Sequence, residues 1–308
     1  MAHRWNLKMT FKSRFKTIRE LSKSGIVTLV LLSVLAGYLI GQPPETPFLY
    51  YRMLLTLLGI LFLSSGSSAL NQLQERKIDK QMPRTAGRPL PSGRMSVRAV
   101  ALFVAITISV GLFILFQLST KLLGMGILAV VLYNGLYTLW WKKHWAYAAV
   151  PGAIPGALPI LMGYTAATDQ IMTPAGLYLF FLLFYWQMPH FWALALRYTN
   201  DYAQGGFPTL PVKYGQGVTL QQITIWCLAY TGLTIIAPFF IPVGWIYLIP
   251  SVLISIKVLY ELYLFIKKPE GPRWLHFFLW VNFSLIVYLA VAALDLWSYY
   301  LPIPHFTR

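Results

Sequence analysis

The stretch NQLQERKIDKQMPRTAGRPLPSGR, residues 71–94, sets Asn71, Glu75 and Asp79 four positions apart in a chain with only nine Asp and Glu against 25 Lys and Arg. On a helix this spacing gathers three oxygen-bearing side chains on one stripe, about 12 Å long with a drift of about 40° per step. Like charges at i and i+4 repel by a few tenths of a kcal/mol, and a hard divalent cation reverses that sign. Mg²⁺ prefers one or two carboxylates completed by water and substrate phosphates. Lys80, Arg84 and Arg88 then recur every fourth residue, and Arg94 follows. Arginine forks suit phosphate oxygens and lysine acts as a point charge, so acids and cations together suit a metal-bound diphosphate. The same stretch also reads as a solvated loop whose cations enforce topology, with Glu75 paired to Arg76 or Lys80. Spacing alone leaves both readings open. There is no Walker-type glycine loop, so a nucleotide is not implied.

A second polar segment, LRYTNDYAQGGFPTLPVKYG (196–215), holds one acid, Asp201. Facing the first across a cavity, Asp201 would bind a second metal or orient the first; taken alone it reads as a loop residue or helix cap. His190, in YWQMPHFWALALRY, lies inside an apolar run. An ionisable residue there defaults to a functional reading, against the ordinary alternative of a helix-to-helix hydrogen bond. Tyr185 and Trp186 are candidate aromatic faces for a cation, although most of the 11 tryptophans must be core or lipid-facing.

The elements that position these residues are membrane helices. The chain has 308 residues, 57% hydrophobic and 11% charged. About 20 apolar residues cross a hydrocarbon core, and in lipid the backbone must be satisfied within the segment. Nine such runs occur, at 25–42, 50–70, 97–118, 122–141, 145–166, 174–195, 219–239, 243–266 and 274–298. The expected fold is therefore all-α, a polytopic membrane protein of nine transmembrane helices around a central cavity open to the cytoplasmic face.

The basic residues behind the net charge of +16 fall mostly on one side. With the N-terminus inside, alternate segments place 21 of the 25 Lys and Arg on the inner face; Arg52, Lys121 and Arg308 fall outside and Lys257 within a span. This positive-inside asymmetry argues against nucleic acid as the partner of the charge, and it predicts an outer C-terminus. Residues 1–24 read as a basic amphipathic segment on an anionic leaflet, with Phe11, Phe15, Ile18 and Leu21 at helical spacing. Residues 25–298 form the transmembrane domain and 299–308 a short outer tail. The single Cys227 lies in an apolar run, so it reads as a buried small hydrophobe. Pro151, Pro155 and Pro159 in the fifth run predict a bent or broken helix, either a packing kink or a cavity wall.

These residues resemble the intramembrane aromatic prenyltransferases. NQLQERKIDKQMPRTAGRPL is similar to that family's Asn-x3-Asp/Glu-x3-Asp motif followed by Arg-Thr-x2-Arg-Pro-Leu. The Glu at the middle position, MPHFWALALRY, DYAQGGFPTLPVKYG and PGAIPGALPILMGYTAA resemble the branch that farnesylates heme. The resemblance implies a Mg²⁺-dependent transfer of farnesyl from farnesyl diphosphate to a vinyl group of heme b, followed by addition of water, to give heme O. It implies metal and diphosphate binding by Asn71, Glu75, Asp79 and Asp201, with Lys80, Arg84 and Arg88 on the phosphates and His190 on heme. It further implies a bacterial inner-membrane location, with the site cytoplasmic, and a downstream heme-modifying enzyme as partner. The chain departs from the superfamily's paired Asp-x3-Asp, because Arg197 stands four before Asp201, and LSKSGI at 21–26 stands where a Lys-Pro pair is common. Three rivals are a prenyltransferase for a quinone precursor or chlorophyllide, a transporter with a broken fifth helix, and a non-catalytic heme-binding membrane protein.

Overall fold

The computed structural model describes residues 11–42, 46–269 and 271–298. The tail 299–308, and residues 1–10 of the basic segment, lie outside that description. A short helix, Phe11–Leu21 (α1), leads into the bundle. Eight helices are long and apolar enough to cross a membrane: Ser24–Gly41 (α2), Tyr50–Asp79 (α3), Val97–Leu118 (α5), Thr120–His144, Ala149–Thr168 (α8), Pro174–Arg197 (α9), Trp245–Lys267 (α12) and Pro272–Ser298 (α13). Thr120–His144 comprises α6 (Thr120–Val130), a π-helical stretch Val131–Trp141 and a last turn Lys142–His144 (α7). Short helices Pro83–Ala86 (α4) and Thr199–Gln204 (α10) lie in the two polar segments, and no strand occurs among the described residues.

The expected span at 219–239 falls on Leu210–Ile235 (α11), which is not among those eight. Its first turns belong to the polar loop, and the backbone leaves helical geometry at Gly215 (φ 77°), a conformation suited to glycine. The run expected at 50–70 continues to Asp79, so the acidic stripe is the C-terminal end of a membrane helix rather than a loop.

Close backbone packing sets the geometry around the cavity. A Cβ at Gly37 would lie 2.1 Å from the carbonyl oxygen of Ile160, and one at Gly163 would lie 2.1 Å from that of Val34. Two glycines thus let α2 and α8 touch backbone to backbone, the usual means of helix association where lipid removes the hydrophobic drive. Of the expected bent or broken helix, the break is absent, since α8 runs from Ala149 to Thr168 with Pro155 and Pro159 inside it, and both prolines border the cavity. One apolar cluster joins α2 and α8 to α9, α11, α12 and α13, and a second joins them to α3, α5 and α6. α2 and α8 are therefore the wall shared by both halves.

Several polar groups in the C-terminal half pair with one another. Tyr178 and Tyr247 share a hydroxyl contact of 3.0 Å, Thr234 Oγ1 meets Ser255 Oγ at 3.1 Å, and Ser255 meets Tyr288 at 2.7 Å. Asp295 accepts from the amides of Gly244 and Tyr247 at 2.7 and 2.9 Å, which caps the start of α12. Lys257 and Glu261 form an ion pair one turn apart within α12, with the ammonium flanked by Tyr260 and Trp280. Cys227 is buried, in line with its reading as a small hydrophobe. At the N-terminus, Leu21 is buried while Phe15 and Ile18 remain exposed. Gln72 of α3 donates to the carbonyls of Glu20 and Leu21, closing the C-terminal end of α1.

Candidate active site

The C-terminal ends of α3, α6–α7 and α9 and the N-terminal end of α8 surround one cavity of about 390 Å³, which α2 closes on a further side. Asn71, Glu75 and Asp79 all border it, and each is at most 2% exposed. The helical stripe therefore turns inward as its spacing predicts. Each oxygen-bearing group is held by a cation, but not by its sequence neighbours. Lys23 Nζ donates to Asn71 Oδ1 at 2.7 Å, and Lys142 Nζ donates to Glu75 Oε1 at 2.7 Å. One nitrogen of Arg88 reaches both Asp79 oxygens, at 3.0 and 2.9 Å. The alternative that Glu75 pairs with Arg76 or Lys80 is corrected: Arg76 turns back to the Leu73 carbonyl, and Lys80 is exposed and does not border the cavity.

Lys23 occupies a special backbone position, φ 50° and ψ 54°, between α1 and α2. A non-glycine residue in the left-handed region costs of order 1–3 kcal/mol and persists where its surroundings fix it. Here the fixed point is the hydrogen bond to Asn71. Burial, with the Arg88 charge next, lowers the Lys23 ammonium from 10.5 to about 7.

The π-helical stretch explains how Lys142 arrives. Widening the turn lets Thr138 Oγ1 donate to the Tyr133 carbonyl, five residues back, at 2.8 Å. Asn134 and Thr138 then face α3. Asn134 donates to the Ser67 carbonyl at 3.0 Å, and Thr138 accepts from Asn71 at 3.2 Å. Tyr133 and Tyr137 border the cavity with their rings stacked at 6.0 Å and 17°. Sequence reasoning missed Lys23, Lys142, Tyr133 and Tyr137. Lys23 and Lys142 are 48 and 67 residues from the groups they hold, and a π-helix has no hydrophobic period to betray it.

The two polar segments meet above the acids. The Arg84 backbone N–H donates to Asp201 Oδ2 at 3.2 Å, and the Arg84 guanidinium lies over Tyr198 and Tyr202 at 5.0 and 5.9 Å. Arg84 borders the cavity, whereas Asp201 does not and meets it only through that amide. Arg94 pairs instead with Glu20. His190 borders the cavity, packed between Trp186 and Phe278 at 4.9 Å each, and its Nδ1 is buried with no hydrogen-bond partner. Tyr185 packs on Trp226, and Trp186 donates its N–H to the Val281 carbonyl. Neither borders the cavity, so both are corrected as candidate cation faces.

Among the described residues no cluster of three His, Cys, Asp or Glu forms a metal cage. The donor set does fit a metal shared with phosphate: Glu75 and Asp79 supply two carboxylates and Asn71 an amide oxygen, and Glu75 gives only Oε1 to Lys142. Two carboxylates with phosphates and water are the usual Mg²⁺ arrangement, and the surrounding cations are matched to the phosphates.

Residues 30–300 match the model of the UbiA prenyltransferase family, and the chain belongs to that family. It is an integral membrane protein. A protoheme IX farnesyltransferase of Bdellovibrio bacteriovorus is 47% identical over 280 residues, covering 91% of this chain and 96% of the relative. One from Flavobacterium psychrophilum is 36% identical, covering 80% and 82%. Among solved structures, a digeranylgeranylglyceryl phosphate synthase aligns with a TM-score of 0.74 at 20% identity, over 92% of this chain and 98% of that one. A UbiA homolog from Archaeoglobus fulgidus bound to DMAPP and Mg²⁺ aligns at 0.62 and 17% identity, over 88% and 99%. At these identities the structures show a shared fold.

Proposed function

We propose that the chain transfers a farnesyl group from farnesyl diphosphate to a vinyl group of heme b, giving heme O and diphosphate. The observation that carries this reading is the polarity of the cavity. Acids and cations crowd one end, while the rest of the lining carries no charged side chain, is largely apolar and includes His190, whose buried Nδ1 has no partner. The names of the relatives support both substrates.

Asn71, Glu75 and Asp79 would hold Mg²⁺, which when bound supplies positive charge against the diphosphate. Lys23, Arg84, Arg88 and Lys142 border the same end and stabilise the charge that develops on the leaving group. Lys80, exposed beside them, acts on approach rather than at the reacting bond. Asp201 acts through the Arg84 backbone, keeping the first polar segment over the cavity. As the C1–O bond breaks, Tyr133 and Tyr137 present their faces to the allylic cation, and the apolar walls keep bulk water away. His190, which borders the cavity, would contact heme as iron ligand or propionate partner and hold the macrocycle against α9. The inner-face concentration of Lys and Arg supports a cytoplasmic site in the inner membrane of a bacterium, with a downstream heme-modifying enzyme receiving the product.

The test is a product assay on the purified protein in detergent with heme b, farnesyl diphosphate and Mg²⁺, read by mass spectrometry with and without EDTA. A new chelator-sensitive farnesylated heme supports the reading. Unmodified heme, with diphosphate released onto a quinone-type acceptor instead, removes the heme assignment and leaves the family assignment intact.

A further inference from the structure

Gln187 lies on α9 one turn deeper in the membrane than His190, about 4.5 Å along the axis, and both border the cavity. Its amide is oriented: Nε2 donates to the Ala153 carbonyl of α8 at 3.0 Å and to the Leu183 carbonyl at 3.2 Å. Both donors are thus spent on backbone, and Oε1 has no hydrogen-bond partner among the described residues. Gly156 makes room for it, since a Cβ there would come within 2.0 Å of Oε1. An amide oxygen that borders the cavity with no protein donor is free to accept from a molecule bound there.

This inference rests on the farnesyl-transfer reading. Neither ionised farnesyl diphosphate nor heme b with ionised propionates carries a hydrogen-bond donor, because the pyrrole nitrogens are all on iron. No described protein donor reaches Oε1, so of the participants in the reaction water is the one that can donate to it. We propose that Gln187 Oε1 positions the water that completes the reaction.

The vinyl π pair forms the bond from the terminal vinyl carbon to C1 of the farnesyl group, and the C1–O pair leaves with diphosphate. The inner vinyl carbon is left cationic. Water held by Gln187 adds its lone pair to that carbon, and the oxygen then loses one proton to the departed diphosphate. Without a held water, the cation loses a proton from the neighbouring carbon and gives an alkene one water lighter. Gln187 is therefore a water-positioning residue that selects between two products.

The test compares wild type, Gln187→Met and Gly156→Ala in the same product assay, with the heme absorption spectrum confirming a folded, heme-loaded protein. Gln187→Met keeps an unbranched chain but removes the acceptor, and Gly156→Ala displaces the amide without altering it. The expected result is a fall of about tenfold in the ratio of hydrated to dehydrated farnesyl heme, the scale of one hydrogen bond, with total farnesyl transfer largely retained. An unchanged ratio in folded Gln187→Met overturns the inference, as does loss of both products together while heme still binds. If wild type makes no farnesylated heme at all, the farnesyl-transfer reading itself fails, which is a different result from either.

Discussion

Lys142 reaches from the turn that ends the π-helical stretch to Glu75 on α3, with Nζ 2.7 Å from Oε1, and the same ammonium sits 4.3 Å from the centre of the Phe207 ring. One side chain thus ties three parts of the site together: the acidic stripe, the widened helix and the second polar segment. Replacing Lys142 by Met leaves Glu75 without its cation and removes one charge from the leaving-group end. The turnover number is expected to fall by about 10²–10³, as for loss of one preorganised donor. Lys142→Arg keeps the charge but not the point geometry, so it recovers only part. Steady-state rates on protein checked by circular dichroism decide this; wild-type turnover in Lys142→Met counts against the role given to Lys142.

Arg84 is held by two tyrosine faces and, through its amide, by Asp201. It is exposed, so its hold on the diphosphate is made mainly on binding. Arg84→Ala is expected to raise the KM for farnesyl diphosphate several-fold, consistent with about 1 kcal/mol from an exposed cation and its aromatic contacts. Asp201→Asn keeps an acceptor for the Arg84 amide and should show a smaller rise. If Asp201→Asn proves as damaging as Glu75→Gln and also weakens Mg²⁺ dependence, Asp201 binds metal directly.

Glu261 is 4% exposed, and one of its oxygens, Oε2, is buried without a hydrogen bond. Removing Lys257 strands a carboxylate inside a membrane helix, whereas removing both partners leaves nothing to strand. Lys257→Leu should lower stability by about 3 kcal/mol and the double variant Lys257→Leu/Glu261→Leu by much less. Thermal melts in detergent of the wild type, single and double variants read the difference directly; equal losses in both would remove the pairing argument.

At the α2–α8 contact, the Cβ of Gly163→Ala would fall 2.1 Å from a backbone oxygen, which no rotamer change relieves. The two helices must separate, opening the wall shared by both apolar clusters. A drop in melting temperature together with loss of activity is expected, larger than for alanine at Gly124, where a Cβ meets nothing within 4 Å. Similar melts for the two variants would show that the contact is not limiting.

The acidic stripe was legible because α-helical spacing turns residues four apart to one side, and Asn71, Glu75 and Asp79 all face the cavity. The spans were legible from length and polarity, except that α11 begins as loop and passes a glycine kink before its apolar part. The partners of the acids were not legible. Intrahelical neighbours looked available, but Lys80 is exposed and the partners come from outside α3: the α1–α2 turn, the last turn Lys142–His144 and the segment after α4. Gln187 carried no signal either, since an amide inside an apolar run says nothing of which of its atoms is already engaged.

The one-to-one matching of Asn71, Glu75 and Asp79 with Lys23, Lys142 and Arg88 has a consequence for the protein between turnovers. Each of these oxygen-bearing groups already has a cationic side chain beside it, so arrival of a metal-bearing anion is an exchange of partners: the oxygens trade Lys23, Lys142 and Arg88 for the metal, and the released side chains turn to the phosphates. The reaction then starts from groups already in place, with no charged side chain brought in from outside the site.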